Sequence, residues 1–128
     1  MRTVFLCLLL IGVGDLCAQP GAISAAQSTF ESALAAAKSG QLDSAWAKVE
    51  QAITMDPRNA KAFKLRGDLH QRKGESDAAL ADYKLSEGLD PNNARLFISR
   101  SALRVGQGLH KTAVKDATRA IELDPTDA

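Results

Sequence analysis

The chain has 128 residues, of which 45% are hydrophobic and 24% charged, and its 16 basic side chains nearly balance 15 acidic ones. This composition fits one globular unit and argues against two domains or a disordered segment. A net charge of +1 gives no strong field for attracting polyanions, so we expect no nucleic-acid partner. Aromatic residues make up only 5%, which favours closely packed helices over a β-sandwich.

The first 18 residues have the pattern of a secretory signal peptide. Arg2 precedes an apolar run over 3–14, which is shorter than the roughly 20 apolar residues needed to span a membrane. We predict cleavage after Ala18 and a short linker over 19–25, although Leu16 is larger than the residue usual two places before Ala18. An uncleaved anchor is the alternative.

Both cysteines, Cys7 and Cys17, lie in this segment. Its removal would leave a mature chain with no disulfide, thiol nucleophile or thiolate metal ligand. We expect that mature chain in the secretory pathway, in a periplasm, in the lumen of the endoplasmic reticulum or outside the cell, without stable membrane insertion. Signal peptides of all these routes share the same physical features, so the compartment stays open.

The rest of the chain repeats with a period of 34 residues. The strings DPRNA, DPNNA and DPTDA begin at residues 56, 90 and 124, and glycines recur in the same phase. A fixed period of this length is typical of repeat architectures. The phase defines three units, 26–59, 60–93 and 94–127, with Ala128 as the first residue of a fourth.

Each unit is predicted to form two helices. In the second unit, Asn59 can cap a helix from Ala60 to Lys73, and Gly74 supplies the left-handed turn that ends it. A second helix is predicted over Ser76–Leu89, because the following Asp-Pro cannot continue it. In the first unit, the capping-box pattern that opens at Ser24 predicts a helix start there.

Small residues recur where the two helices of a unit should meet, since small side chains allow close approach. They are Ala33, Gly67 and Ser101 in the first helices and Ala45, Ala79 and Ala113 in the second. In the first helix we expect the apolar stripe Phe30, Ala33, Leu34 and Ala37 to face the core. Trp46, Leu80 and Val114 are predicted to pack one helix pair against the next.

These features resemble the tetratricopeptide repeat. The resemblance rests on the period, the Phe63/Gly67 pair, the Ala79-x-x-x-Tyr83 spacing and the closing Asp-Pro, and it covers 26–128. It implies an all-α superhelix, a solenoid of three helix-turn-helix units. The sequence departs from the pattern where Arg66 and Arg100 replace its Leu, and where His70 and Arg104 replace its Tyr.

A catalytic interpretation finds little support in the sequence. The mature chain has no HExxH, no glycine-rich phosphate loop and no Gly-x-Ser-x-Gly. His70 and His110 fall at different phases of the repeat, and we expect them to be a packed side chain and a surface side chain. The acids are interpreted as solvated or helix-start charges. We therefore predict no enzyme activity, no cofactor and no metal site.

The first helices of such an array line its concave side, where extended peptides or partner helices usually bind. Repeat phase selects the candidate groove residues Lys61, Lys64, Asp68, Gln71, Arg95, Ile98 and Ser99. The groove is predicted to be basic in the middle and apolar at both ends, which suits a partner with an acidic or carboxylate feature beside apolar anchors. The alternative is that these lysines only keep the array soluble.

Residues 96–102 and 114–117 also resemble a unit of the co-chaperone repeats that clamp the C-terminal carboxylate of heat-shock chaperones. On that resemblance Lys64 takes the place of the clamp's lysine, whereas Asp68 and Ser99 stand where the clamp has asparagines. An aspartate beside a bound carboxylate would repel it. Only Lys64 is therefore carried over from the clamp.

Two functions follow from these patterns. The first is a scaffold or adaptor that binds a peptide or partner helix, in the manner of a co-chaperone. The second is a piece of a longer secretory-pathway repeat protein, with stacking or assembly as its main role. The last helix would leave Val114, Ala117, Ala120 and Ile121 uncovered on its outer side, which predicts self-association or a truncated product.

Overall fold

The computed structural model describes residues 20–127, and side chains over 25–126. The predicted signal peptide with its two cysteines and Ala128 lie outside the described residues. The helices are α1 (Pro20–Lys38), α2 (Leu42–Met55), α3 (Ala60–Arg72), α4 (Ser76–Leu89), α5 (Ala94–Gly106) and α6 (His110–Leu123), followed by a 3-10 turn over Pro125–Asp127. No strand occurs between residues 20 and 127, so the predicted all-α repeat fold is confirmed.

The predicted turns between helices are present. Asn59 accepts a hydrogen bond from the Ala62 backbone N–H at 3.2 Å, which caps α3 as expected. Gly40, Gly74 and Gly108 have φ values of +79°, +79° and +75°, the left-handed conformation that glycine adopts without strain. Each glycine joins the two helices of one unit.

The start of the first helix differs from the prediction. α1 begins at Pro20, so Ser24 lies inside the helix, and residues 20–25 are helical where a linker was predicted. Proline fits the first position of a helix because its fixed φ is already helical and its missing N–H would have had no partner there. The alanines that follow have high helix propensity and extend the helix towards its N-terminus as far as this proline.

The two helices of each unit pack as antiparallel partners, and α2–α3 and α4–α5 join successive units. A large apolar cluster joins α1, α2 and α3 through residues that include Phe30, Val49, Leu65 and Leu69. A smaller cluster joins α4 and α5 through Ala79, Tyr83, Leu96 and Leu103. Apolar burial is therefore concentrated in the first half of the array.

The predicted small positions lie in close contacts. Ala33, Ala45 and Ala79 are fully buried. A Cβ on Gly67 would stand 2.6 Å from Tyr83 Cε1, so this position needs glycine for the close approach of α3 and α4. The packing predicted for Trp46 is present, since it lies edge-on against His70 with ring centroids 4.8 Å apart. Val114, predicted to pack in the same way, is instead 64% exposed and packs against no further helix pair among the described residues.

Acids in the second helices were predicted to be solvated, and for Asp82 and Asp116 this is wrong. Their relative exposures are 3% and 4%. Arg66 donates to both carboxylate oxygens of Asp82 at 2.8 Å, and these hydrogen bonds raise the pKa of Arg66. The arginines that depart from the repeat pattern are thus paired with acids inside the unit, as a buried charge requires.

The same pairing recurs one period later. Arg100 donates to Asp116 at 2.9 and 3.0 Å, and Arg104 donates to it at 2.6 Å. The first unit has Ser32 and Lys48 at the corresponding positions, so its interior carries no such pair. Units 2 and 3 therefore rest partly on ion pairs, whereas unit 1 rests on apolar packing.

Candidate functional site

A depression of about 440 Å³ opens between the first helices of the three units. α1, α3 and α5 provide its walls, and Asn93 lies at the turn that leads into α5. The lining residues are Gln27, Phe30, Glu31, Leu34, Lys61, Lys64, Leu65, Asp68, Asn93 and Arg95. The structure therefore brings four of the seven predicted groove residues together, namely Lys61, Lys64, Asp68 and Arg95.

The positive charge of the depression comes mainly from two helices. Lys61, in the first turn of α3, is exposed and has no hydrogen-bond or ion-pair partner among the described residues. Arg95 on α5 is also exposed and lines the same depression. Opposite them lies one acid, Glu31 on α1, which accepts a hydrogen bond from Gln27 at 2.9 Å.

Lys64 and Asp68 satisfy each other. Lys64 Nζ lies 2.7 Å from Asp68 Oδ2, and the Tyr83 hydroxyl donates to Asp68 Oδ1 at 2.7 Å. Asp68 therefore presents a carboxylate whose charge is already offset, which reduces the repulsion predicted for a bound carboxylate. Because Lys64 is already paired with Asp68, Lys61 is more available than Lys64 to bind a ligand.

Tyr83 links this pair to the core of unit 2. The ring is fully buried, and its hydroxyl lies 2.9 Å from the Gln71 side-chain oxygen. Burial raises the pKa of Tyr83 above its ordinary value, with a further contribution from the Asp68 charge, while a hydrogen bond with Ser99 acts in the opposite direction. Gln71 and Ser99, both predicted as groove residues, thus contact Tyr83 and do not line the depression.

The apolar part of the depression comes from unit 1 and the base of α3. Phe30 and Leu65 are 6% and 5% exposed, and Leu34 is half-buried. The apolar stripe predicted for α1 is confirmed, because Phe30, Ala33 and Ala37 are all buried. A buried apolar floor beside exposed cations is the arrangement expected of a site that anchors a side chain and a charge together.

Ile98 does not line this depression. It borders a second groove of about 400 Å³ between α5 and α6, with Ser101, Ala102, Ala117, Ala120, Ile121 and Asp124. The predicted continuous groove is therefore divided into a basic depression and an apolar groove. Sequence reasoning missed Glu31 and Asn93, although Glu31 lies one helical turn after Gln27 and Asn93 directly precedes α5.

The histidines lie outside both surfaces. His70 packs on Trp46, and its Nδ1 lies 2.5 Å from Glu75 Oε2, while His110 is exposed at the start of α6. Over residues 20–127 no group of His, Cys, Asp and Glu side chains could hold a metal ion. Within this stretch no helix combines the length and apolar character needed to cross a membrane.

The sequence matches the tetratricopeptide repeat over residues 60–93, the unit predicted from its period. No curated protein sequence matches the chain. Among solved structures, the first such domain of Spaghetti (RPAP3) bound to the HSP90 peptide SRMEEVD is similar, with 25% identity and a TM-score of 0.73, covering 79% of this chain and 80% of that one.

Two further structures show the same fold. The Arabidopsis OM64 domain has a TM-score of 0.76 at 23% identity, covering 81% of this chain and 86% of that one. Pseudomonas aeruginosa pilF has a TM-score of 0.74 at 21% identity, and the match covers 79% of this chain but 46% of that one. Residues 60–93 therefore match the tetratricopeptide repeat by sequence, and the array of helix pairs has the same fold as these structures.

Proposed function

We propose that this chain is a protein-interaction module whose depression between α1, α3 and α5 binds an extended peptide with an acidic side chain or a free carboxylate. The observation that carries the proposal is the placement of Lys61 and Arg95 at one apolar depression floored by Phe30 and Leu65. Cations at the rim attract the acid, and apolar contacts below fix its neighbour.

Lys61 is the proposed carboxylate contact in place of Lys64, with Arg95 at the same depression. Lys64 already neutralises Asp68 at 2.7 Å, and releasing it would leave that carboxylate with the Tyr83 hydroxyl as its remaining partner. Lys61 pays no such cost because it has no partner among the described residues. The recognition therefore differs from the co-chaperone clamp in the residues that hold the acid.

The structural neighbour RPAP3 supports an acidic peptide as the ligand class, because its domain is bound to the HSP90 peptide SRMEEVD. The departures at Asp68 and Ser99 stand against transfer of that partner itself. The proposed ligand is therefore a class of peptide in which an acidic residue lies next to apolar residues. We place the interaction in the secretory pathway on the pattern of residues 1–18 alone.

Fluorescence anisotropy with labelled SRMEEVD tests this site in the full chain. Lys61→Glu should weaken binding by about ten-fold, since it replaces an attraction with a repulsion at the rim. Lys84→Glu is the matched control, because Lys84 is an exposed lysine on α4 away from the depression and makes the same charge change. Equal affinity of the two variants would contradict the proposed site.

A second candidate function is self-association, as expected of a stacking or assembly role. Val114 and Ile121 on α6 are 64% and 51% exposed, so the predicted uncovered face is present, although Ala120 is buried at 5% and does not belong to it. Such an exposed apolar face is typical of an interaction surface. Sedimentation velocity over a concentration series should show a rising average mass, and a monomer throughout would contradict it.

A further inference from the structure

The apolar groove between α5 and α6 is equivalent to surfaces that are covered inside the array. In units 1 and 2, the corresponding surface is covered by the first helix of the next unit, α3 or α5. On unit 3 the surface is open, with Ile98 at 41% and Ile121 at 51% exposure. A helix is therefore the shape that this groove accepts.

The chemistry of α6 differs from that of the covered surfaces. At the first junction Glu50 on α2 lies 2.9 Å from Arg66 on α3, and at the second Glu87 on α4 pairs with Arg100 on α5. By the repeat phase, α6 has Thr118 and Ile121 at the positions of Glu50 and Glu87. An arginine-bearing helix like α3 or α5 would find no carboxylate at these two positions, and Asp124 is the one acid among the residues that line the groove. An apolar helix would fit the rest of the lining.

Within the described residues, the opposite end of the array does not supply that apolar helix. The exposed side of α1 carries small and polar residues, namely Ser28, Glu31, Ser32 and Ala35. A second copy docking through α1 would leave Val114 and Ile121 against serines and a glutamate. Head-to-tail stacking of copies is therefore a poor match.

α6 itself is complementary to a second α6 in the antiparallel direction. Val114 and Ile121 are seven residues apart and so lie on one face of the helix, with Ala117 and Thr118 between them. When two copies are centred on that small pair, Val114 of each lies opposite Ile121 of the other. The small residues at the centre allow the helices to approach closely.

The charges beside this face favour the same direction. Lys111 and Lys115 lie near the start of α6, and Glu122 lies near its end on the same flank. Antiparallel pairing places the lysines of one copy beside Glu122 of the other, where Glu122 now makes only a 3.5 Å exposed contact with Arg119.

We infer that two copies of this chain pair through α6, antiparallel about a two-fold axis between Ala117 and Thr118. The inference rests on the self-association proposed above and adds its partner, direction and contacts. An interface of this kind uses the same patch on both copies and closes at a dimer. It leaves the basic depression of each copy outside the contact.

Sedimentation equilibrium of the full chain tests the face. Ile121→Lys should weaken the dimer by at least about ten-fold, because it places a charge where Ile121 packs against Val114 of the other copy. Leu85→Lys is the matched control, since Leu85 is also 51% exposed but lies on α4. Equal effects of the two variants, or association unchanged by Ile121→Lys, would assign the groove to another occupant and overturn the inference.

Charge exchange tests the direction. Lys111→Glu combined with Lys115→Glu should weaken the dimer, and addition of Glu122→Lys should restore it, because the antiparallel contacts are re-formed with reversed signs. In a chain with Cys7→Ser and Cys17→Ser, Thr118→Cys should form a cross-linked dimer on oxidation, whereas Lys84→Cys, at the same repeat position on α4, should not.

The outcomes separate the two proposals. A parent chain that is monomeric at every concentration overturns both self-association and the pairing. A dimer that is neither restored by Glu122→Lys nor cross-linked by Thr118→Cys overturns the antiparallel arrangement and leaves self-association standing. Peptide binding at the depression is measured independently of all three results.

Discussion

Two open surfaces of this array have similar size but opposite chemistry. The depression between α1, α3 and α5 measures about 440 Å³ and combines Lys61 and Arg95 with an apolar floor. The groove between α5 and α6 measures about 400 Å³ and is lined mainly by Ile98, Ala117 and Ile121. The same repeat geometry thus yields one surface suited to a charged peptide and another suited to an apolar helix.

The difference arises from what lies beneath each surface. The depression stands on the apolar cluster of α1, α2 and α3, whereas the groove stands on unit 3, whose helices are tied by Arg100, Arg104 and Asp116. Removing one partner of such an ion pair is strongly destabilising, because it leaves a buried charge uncompensated. We therefore expect the two surfaces to respond differently to mutation, salt and pH.

Asp116→Ala should have the largest effect. It leaves the guanidinium groups of Arg100 and Arg104 without their shared carboxylate and should lower the free energy of unfolding by about 3–5 kcal/mol. The C-terminal groove should be lost before the α1–α3 cluster. Chemical denaturation followed by circular dichroism measures the loss. Lys48→Ala, at the same repeat position in unit 1, should change stability by less than about 1 kcal/mol, and an equal loss there would contradict the assignment.

Gly67→Ala should displace Tyr83, whose hydroxyl donates to Asp68 at the depression. The added methyl group would meet Tyr83 Cε1 at 2.6 Å, and overpacking of this kind costs about 1–3 kcal/mol. Thermal unfolding measures the change. Gly88→Ala is the matched helix control because nothing lies within 4 Å of its added Cβ, and it should be neutral or slightly stabilising. Destabilisation by Gly88→Ala of the same size would show that glycine loss, not the Tyr83 contact, is responsible.

Salt should affect binding at the two surfaces to different degrees. Raising the ionic strength from about 0.05 to 0.5 M shortens the screening length severalfold and should weaken SRMEEVD binding at the depression by several-fold. Self-association through α6 should change less, because its centre is apolar. Anisotropy and sedimentation on the same samples give both quantities. Peptide affinity that does not respond to salt would contradict a carboxylate contact by Lys61.

High pH should have the smallest effect on the free energy of unfolding, and that effect should arise in unit 2. Burial raises the pKa of Tyr83, so the folded state favours the neutral phenol. Its stabilising contribution is present below the ordinary tyrosine pKa of about 10 and is lost as the pH rises above it. Denaturation curves between pH 8 and 11 should show falling stability above pH 10, and Tyr83→Phe should flatten that fall. An equal slope in both proteins would exclude Tyr83 as the source.

The period, the helix pairs and the close contacts could be read from the sequence because they recur in phase. Gly74 is needed for a turn, and Gly67 and Ala79 are needed where two helices approach closely. Each of these needs arises within one short segment, so the segment alone predicts it. The pairing of Arg66 with Asp82 could not be read in this way, since each residue alone is ordinary on a helix surface. Its signal was the recurrence of both residues 34 positions later, as Arg100 and Asp116.

The candidate site was predicted only in part for the same reason. Repeat phase placed Lys61 and Arg95 on the first helices, and helical geometry brought them to one depression. Phase does not reveal which cation is already paired, and the hydrogen bonds among Lys64, Asp68 and Tyr83 decide that. The groove is divided at Ile98 because of the way α5 and α6 cross. That crossing cannot be predicted from the sequence of either helix alone.

Residue-resolved NMR titration of the full chain with SRMEEVD tests the central claim most directly. We expect amide shifts to cluster at Phe30, Leu34, Lys61 and Arg95, with little change along α6. Lys61→Glu should remove these shifts at the same peptide concentration. A cluster at Ile98, Ala117 and Ile121, or no saturable shift near Lys61, would contradict the claim that the basic depression is the peptide site.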